Sequence, residues 1–256
     1  LPELLSAPLC LPFPGRTGAG VRIAVIDSGV HPAHDHIAAA QLVEGALIHR
    51  DGTVERGVET TLDRLGHGTA VMAAIQEKAP GAVCIPVRVF QDSLKASAAA
   101  LIAAIRWSAE QRADIINLSL GSPNPAHEQP FARVAEEAAA VGCILIAARE
   151  AHGSACYPGA LPGVIGVEPD WECDRDRYRA RSGPDGELIF LASGHPRPIP
   201  GVPQRRNLYG ISFATAQMAG FAALACEDMR LTGASARGYP GLRGRLSDEI
   251  GLHLPA

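Results

Sequence analysis

No stretch of this 256-residue chain holds the roughly 18 consecutive apolar residues that a membrane-crossing helix needs, so no transmembrane span is expected. Charge of one sign is also scarce. With 23 Lys and Arg against 27 Asp and Glu, the formal net charge is −4. That balance offers no basic face to nucleic acid or to an anionic membrane. The six cysteines (Cys10, Cys84, Cys143, Cys156, Cys173, Cys226) show neither CxxC pairs nor metal-ligand spacing. Cys84, Cys143 and Cys226 lie in apolar stretches and read as buried free thiols, which suits a reducing compartment. Cys156 with Cys173 is the pair a disulfide would join. No glycine-rich loop follows a strand. Gly15-Arg16-Thr17-Gly18-Ala19-Gly20 precedes one, so a dinucleotide-binding reading fails on context. Internal repeats and composition breaks are missing, and a single domain over residues 1–256 is expected. The start, Leu1-Pro2-Glu3-Leu4-Leu5, has no basic region, no following apolar segment and no initiator Met. A cytoplasmic location is expected over a secreted one, for a processed form or a domain of something longer.

What is present is a globular composition, 47% hydrophobic and 20% charged. The length suffices for one large α/β domain with a full core. Residues 1–20 hold four prolines and several glycines and read as an irregular surface arm. Val21–Asp27 is a strand, residues 44–64 a hairpin or loop, and His67 to about Glu77 a helix. A strand over 83–89, a helix within 93–111, a strand and turn over 114–121, a helix over 126–141 and a strand over 143–148 follow. This alternation predicts a mostly parallel, doubly wound sheet. Further strands are expected at 164–167 and 188–191. Residues 170–181, with four arginines among acidic residues, read as a loop or edge strand. A proline-rich approach over 192–207 leads to a helix running to about Cys226. From about 230 to 256 the chain is rich in glycine and arginine and is expected to be a loosely structured tail. His31-Pro32-Ala33-His34-Asp35-His36 holds possible metal ligands, but its composition favours a solvated loop, and no metal is expected.

Three glycine-flanked residues carry the candidate chemistry. Asp27, in Asp27-Ser28-Gly29, ends a strand, and open α/β sheets keep their sites at such strand ends. His67, in Gly66-His67-Gly68-Thr69, heads a helix. Ser212, in Gly210-Ile211-Ser212-Phe213-Ala214-Thr215, sits at another helix start, where an unpaired N–H and the helix dipole favour negative charge. Singly, each has an ordinary reading as a turn, a loop residue or a helix cap. In the order Asp, His, Ser they form a specific signal.

With these motifs the chain resembles the subtilisin-like serine proteases over most of its length. The family's patterns are Asp-(Ser/Thr)-Gly, His-Gly-Thr-His and Gly-Thr-Ser-Met-Ala-(Thr/Ser)-Pro. The resemblance implies a three-layer α/β/α fold and a serine endopeptidase acting through an acyl-enzyme on Ser212. His67 would serve as general base and acid, and Asp27 would hold the imidazole. It further implies that Ser119-Leu120-Gly121 pairs with an extended peptide as an added strand, with Ala147, Ala148 and Cys156 near the specificity pocket. A peptide or protein is the expected partner. The calcium-binding insertion many relatives carry after the His67 helix is missing, since Lys78-Ala79-Pro80-Gly81-Ala82 leads straight into a strand. No calcium and no cofactor are expected.

One departure bears on catalysis. Where the family has Ala-Ala-Gly-Asn, with the Asn amide donating to the oxyanion, this chain reads Ala147-Ala148-Arg149-Glu150-Ala151-His152. In subtilisins, loss of that donor costs on the order of 10²–10³ in kcat. Three outcomes stay open beside the Ser212 N–H: a protonated Glu150 donates, Arg149 or His152 substitutes, or the site is weak or dead. The first two give a processing protease for a specific precursor peptide. The last gives a degenerate relative that binds peptides.

Overall fold

The computed structural model describes residues 11–151, 153–183, 186–234 and 238–252. Strand β1 (Arg22–Asp27) is followed by the hairpin β2 (Ala46–Ile48) and β3 (Val54–Arg56), helix α1 (His67–Lys78) and β4 (Val83–Arg88). Helix α2 (Ala98–Glu110), β5 (Ile115–Leu118), α3 (Glu128–Ala140) and β6 (Ile144–Ala148) continue the alternation. A small hairpin, β7 (Glu150–Ala151) and β8 (Ser154–Ala155), precedes β9 (Ile165–Pro169), β10 (Tyr178–Ser182) and β11 (Leu188–Ala192). The chain ends in α4 (Ile211–Thr232) and α5 (Gly238–Glu249).

Nine strands form one sheet in the order β10-β11-β9-β6-β5-β1-β4-β2-β3. It is parallel from β11 to β2, and antiparallel only where β10 and β3 close its edges. The central strands β1, β5 and β6 are buried on both faces because both faces are covered. In β1, Ile23 and Val25 pack in the core under α1 and α4, while Ala24 and Ile26 face α2 and α3. The result is the expected three-layer α/β/α architecture.

Two features position the site. β4 and β5 flank β1 on opposite sides, so the winding reverses at β1, the position at which open α/β sheets form a crevice at the carboxyl ends of their strands. Asp27 ends β1 and Ser119 follows β5. Helices α1 and α4, which carry His67 and Ser212, are held together at Gly220, where an added Cβ would lie 2.6 Å from the Cβ of Lys78. The glycine lets the fully buried Lys78 stem cross α4.

The C-terminal expectation needs correction. Met229 lies within α4, which runs to Thr232, and residues 238–249 form α5 instead of a loose tail. Leu242 and Leu246, one helical turn apart, are buried, Arg245 pairs with Asp228 and Glu249, and Tyr178 donates its hydroxyl to Leu246 O at 2.8 Å. The arm over 11–20 is irregular as expected, but it is pinned down. Phe13 is buried beneath the Arg245 guanidinium, and Glu227 accepts the amides of Thr17, Gly18 and Ala19. Cys156 and Cys173 are free and buried, so they form no disulfide, and Cys226 is half-buried. Arg175, Arg177, Arg179 and Arg181 each pair with a carboxylate of this chain. Among the described residues, no helix is long and apolar enough to cross a membrane.

Candidate active site

The glycines of the first two motifs exist because two turns touch. A Cβ at Gly29, whose φ is +99°, would fall 2.1 Å from Thr61 O, and one at Gly68 would fall 2.3 Å from Gly29 O. This close approach brings the end of β1 against the start of α1. Asp27 is fully buried there, and its Oδ1 accepts the Ser28 amide at 2.7 Å and lies 2.7 Å from His67 Nδ1. Nδ1 is therefore the donor, which leaves Nε2 to act as a base. Asp27 Oδ2 is buried with no partner among the described residues.

A second carboxylate, which the sequence reading missed, builds the His67 turn. Asp63 Oδ1 accepts Ser28 Oγ–H and the amides of Leu65 and Gly66, each at 2.9 Å. Its Oδ2 accepts the Thr69 amide at 2.8 Å and the Thr69 hydroxyl at 2.6 Å. Ser28 Oγ in turn accepts the Gly68 amide at 2.8 Å. The available signal was an aspartate four residues before a helix-heading histidine, with the turn-forming Leu65-Gly66 between. These hydrogen bonds outweigh burial and hold the Asp63 carboxyl below its ordinary pKa. Burial would lower the His67 pKa, but the Asp27 hydrogen bond and the charges of Asp27 and Asp63 raise it above 6.5.

Ser212 is the second residue of α4, after Gly210 at φ +151°. An N–H in the first turn has no intrahelical acceptor, and the helix dipole adds positive potential. The Ser212 hydroxyl donates to Ser119 O at 3.1 Å, and Ser119 Oγ donates to Ser212 O at 3.3 Å. Asn117 Nδ2 donates to the same Ser119 Oγ at 2.9 Å. The nucleophile candidate thus rests on Ser119 and makes no hydrogen bond to His67.

The residues expected to bind substrate converge. Among the described residues, the backbones of Leu120 and Gly121 make no backbone hydrogen bonds, which leaves a free edge after β5. A Cβ at Gly121 would lie 2.7 Å from Cys156 Sγ, and Ala147 is in register with Leu118 beside it. Ala148 ends β6, close enough to Gly159 that a Cβ there would strike Ala148 O at 2.0 Å.

The oxyanion candidates do not converge. Glu150 is exposed, not buried, and its Oε1 accepts the Gly153 amide at 3.0 Å. Arg149 pairs with Glu187 and, at 3.8 Å, with Glu168. Its stem is held by Gly166, where a Cβ would lie 3.3 Å from Arg149 Cδ. His152 lies outside the described residues. Among those described, no group of three or more His, Cys, Asp or Glu side chains is arranged to hold a metal ion.

Comparison with known proteins finds relatives of this chain. A profile of the subtilase family matches residues 18–167. M-protease of Shouchella clausii (strain KSM-K16) is 27% identical over 223 residues, spanning 82% of this chain and 55% of that protein. Subtilisin Savinase of Lederbergia lenta is likewise 27% identical over 223 residues, spanning 82% of this chain and 77% of its own. Among solved structures, Sphericase superposes with a TM-score of 0.69 at 23% identity, covering 91% of this chain and 84% of that one. A cold-adapted subtilisin-like serine proteinase does so with 0.64 at 20%, covering 90% and 82%. This chain spans little more than half the length of M-protease.

Proposed function

This chain belongs to the subtilase family, and from that premise we propose that it is a serine endopeptidase acting through Asp27, His67 and Ser212. The observation that carries the reading is the 2.7 Å contact between Asp27 Oδ1 and His67 Nδ1, made in the crevice where Ser212 heads α4. A peptide adds to the free edge at Leu120 and Gly121 as an extended strand. The Ser212 hydroxyl leaves Ser119 O and turns to His67. Nε2 takes its proton as Oγ attacks the scissile carbonyl. The tetrahedral oxyanion forms against the Ser212 N–H at the head of α4. On collapse, the leaving amine takes the proton from His67 and the acyl group stays on Ser212. Water, deprotonated by His67, then releases the acid and restores the serine. The chemistry is carried by side chains and backbone without a cofactor.

With only the Ser212 N–H assigned to the oxyanion, the reading is a slow, selective enzyme that processes one precursor peptide in the cytoplasm. A second reading has specific support. Because Ser212 rests on Ser119, while Glu150 holds the Gly153 amide and Arg149 pairs with Glu187, a peptide-binding relative that does not turn over is the rival. Incubation with a proteome-derived peptide library, read by mass spectrometry, separates the two. The protease reading expects new peptide ends that Ser212→Ala does not generate, and an acyl adduct on Ser212. Peptides retained intact by both proteins would establish the rival.

A further inference from the structure

A pocket of about 360 Å³ opens between α1 and the segment that leads to Ser212. Its rim includes Gly66, the residue before His67, and Leu208, four residues before Ser212. This is the side of the site on which a leaving amine would be protonated, because His67 hands over the proton. The edge at Leu120 and Gly121 belongs instead to the acyl half of the substrate.

The pocket is lined with cationic and proton-donating side chains. Arg64 is exposed and, among the described residues, makes no side-chain hydrogen bond or ion pair. Arg197 is anchored by a single hydrogen bond, from Nη1 to His36 O at 3.3 Å, and has no carboxylate partner among those residues. Away from the pocket, Arg16, Arg106, Arg149, Arg230 and Arg245 are paired with carboxylates, while Arg112, Arg133, Arg205, Arg206 and Arg243 make no ion pair among the described residues. His34 Nδ1 accepts the His36 amide at 3.1 Å, which leaves its Nε2–H as a donor. The carboxylate on the wall, Asp63, is 8% exposed and its two oxygens already accept five hydrogen bonds. Nearby, Glu77 is engaged by Lys78 and Arg175. Burial and the positive charge of Arg197 hold the His36 pKa below its ordinary value, against the opposing pull of Glu77 and Asp35.

We propose that this pocket is a subsite for a carboxylate on the part of the substrate that follows the scissile bond, bound by Arg64 and Arg197. The inference rests on the protease reading above for its direction along the substrate. Two guanidinium groups without a carboxylate partner among the described residues, beside a partly apolar cleft, form charge-assisted contacts with a carboxylate more readily than with any neutral side chain. The carboxylate belongs either to an acidic side chain within the first few residues after the bond or to a nearby chain terminus.

The test uses internally quenched peptides with mixed residues before the bond and Glu, Gln or Lys at each of the first three positions after it. The expected result is a kcat/KM for Glu over Gln of roughly ten-fold at one position, the ratio one charge-assisted pair supplies. That ratio falls to near one in Arg64→Ala/Arg197→Ala and is unchanged in the remote surface variant Arg133→Ala. Amidating short peptides identifies the source. A loss confined to amidated peptides assigns the pocket to a chain terminus, and a loss confined to Gln peptides assigns it to a side chain. A Glu-to-Gln ratio within two-fold together with no loss on amidation, or a preference that survives the double variant, overturns the proposal. Should no peptide be cleaved, the protease reading fails separately. The same peptides are then titrated onto Ser212→Ala by fluorescence anisotropy, where equal affinities for Glu, Gln and amidated peptides overturn the subsite as well.

Discussion

On the Asp27 side of the crevice the polar groups converge on the site, and on the Arg149 side they turn away from it. Asp27, Ser28, Asp63 and Thr69 form a closed set of hydrogen bonds around the His67 turn. Across the crevice, Arg149 is committed to Glu187 and Glu168, and Glu150 to the Gly153 amide. Both sides are rich in charge, so composition does not separate them. The difference is where the hydrogen bonds end. The first side fixes an imidazole and raises its pKa, and the second fixes a surface hairpin. One side of the crevice therefore holds the His67 imidazole in a fixed orientation, while the side chains of Arg149 and Glu150 on the other are engaged away from Ser212.

The comparison can be tested from its strongest element downward. Ser212→Ala should lower turnover by about 10⁶, the size seen when a triad nucleophile is removed, as measured by hydrolysis of an activated peptide ester. Asp27→Asn should cost about 10⁴ in kcat, since it reverses the tautomer that leaves Nε2 free. Asp63→Asn should act on both stability and pH. Its amide nitrogen would face the Thr69 amide, losing hydrogen bonds to a buried charge worth about 3 kcal/mol in a denaturant titration. Because the Asp63 charge helps raise the His67 pKa, its removal should also move the acid limb of activity to lower pH. On the other side, Glu150→Gln should change kcat/KM by less than about three-fold, against the 10²–10³ that loss of a working oxyanion donor costs. A large loss in Glu150→Gln would break the comparison by making Glu150 part of the machinery.

Much of the first side was legible in the sequence, because close backbone approach demands glycine. Gly29, Gly66, Gly68 and Gly210 mark where turns touch or where φ is positive, and the reactive candidates stand beside them. The strand and helix order was legible for a related reason, since strands covered on both faces read as apolar runs. Asp63 was not, because it acts through backbone amides that meet only when the turn has folded around it. The same holds for α5. Two leucines in a glycine- and arginine-rich stretch give little periodic signal, and the helix depends on Asp228 and Tyr178 from distant elements. Arg149 and Glu150 signalled a departure from the family pattern, but their partners come from β9, from Glu187 and from the β7–β8 turn.

The most direct measurement is the rate of fluorophosphonate labelling across pH, compared with Ser212→Ala and Glu150→Gln. The account predicts one label per chain, absent in Ser212→Ala. Labelling should rise with pH to a half-maximum above 6.5, as the raised His67 imidazole loses its proton, and Glu150→Gln should follow the same curve. A folded protein that takes no label at any pH, or labelling that falls between about pH 5 and 7 and loses that fall in Glu150→Gln, would contradict it.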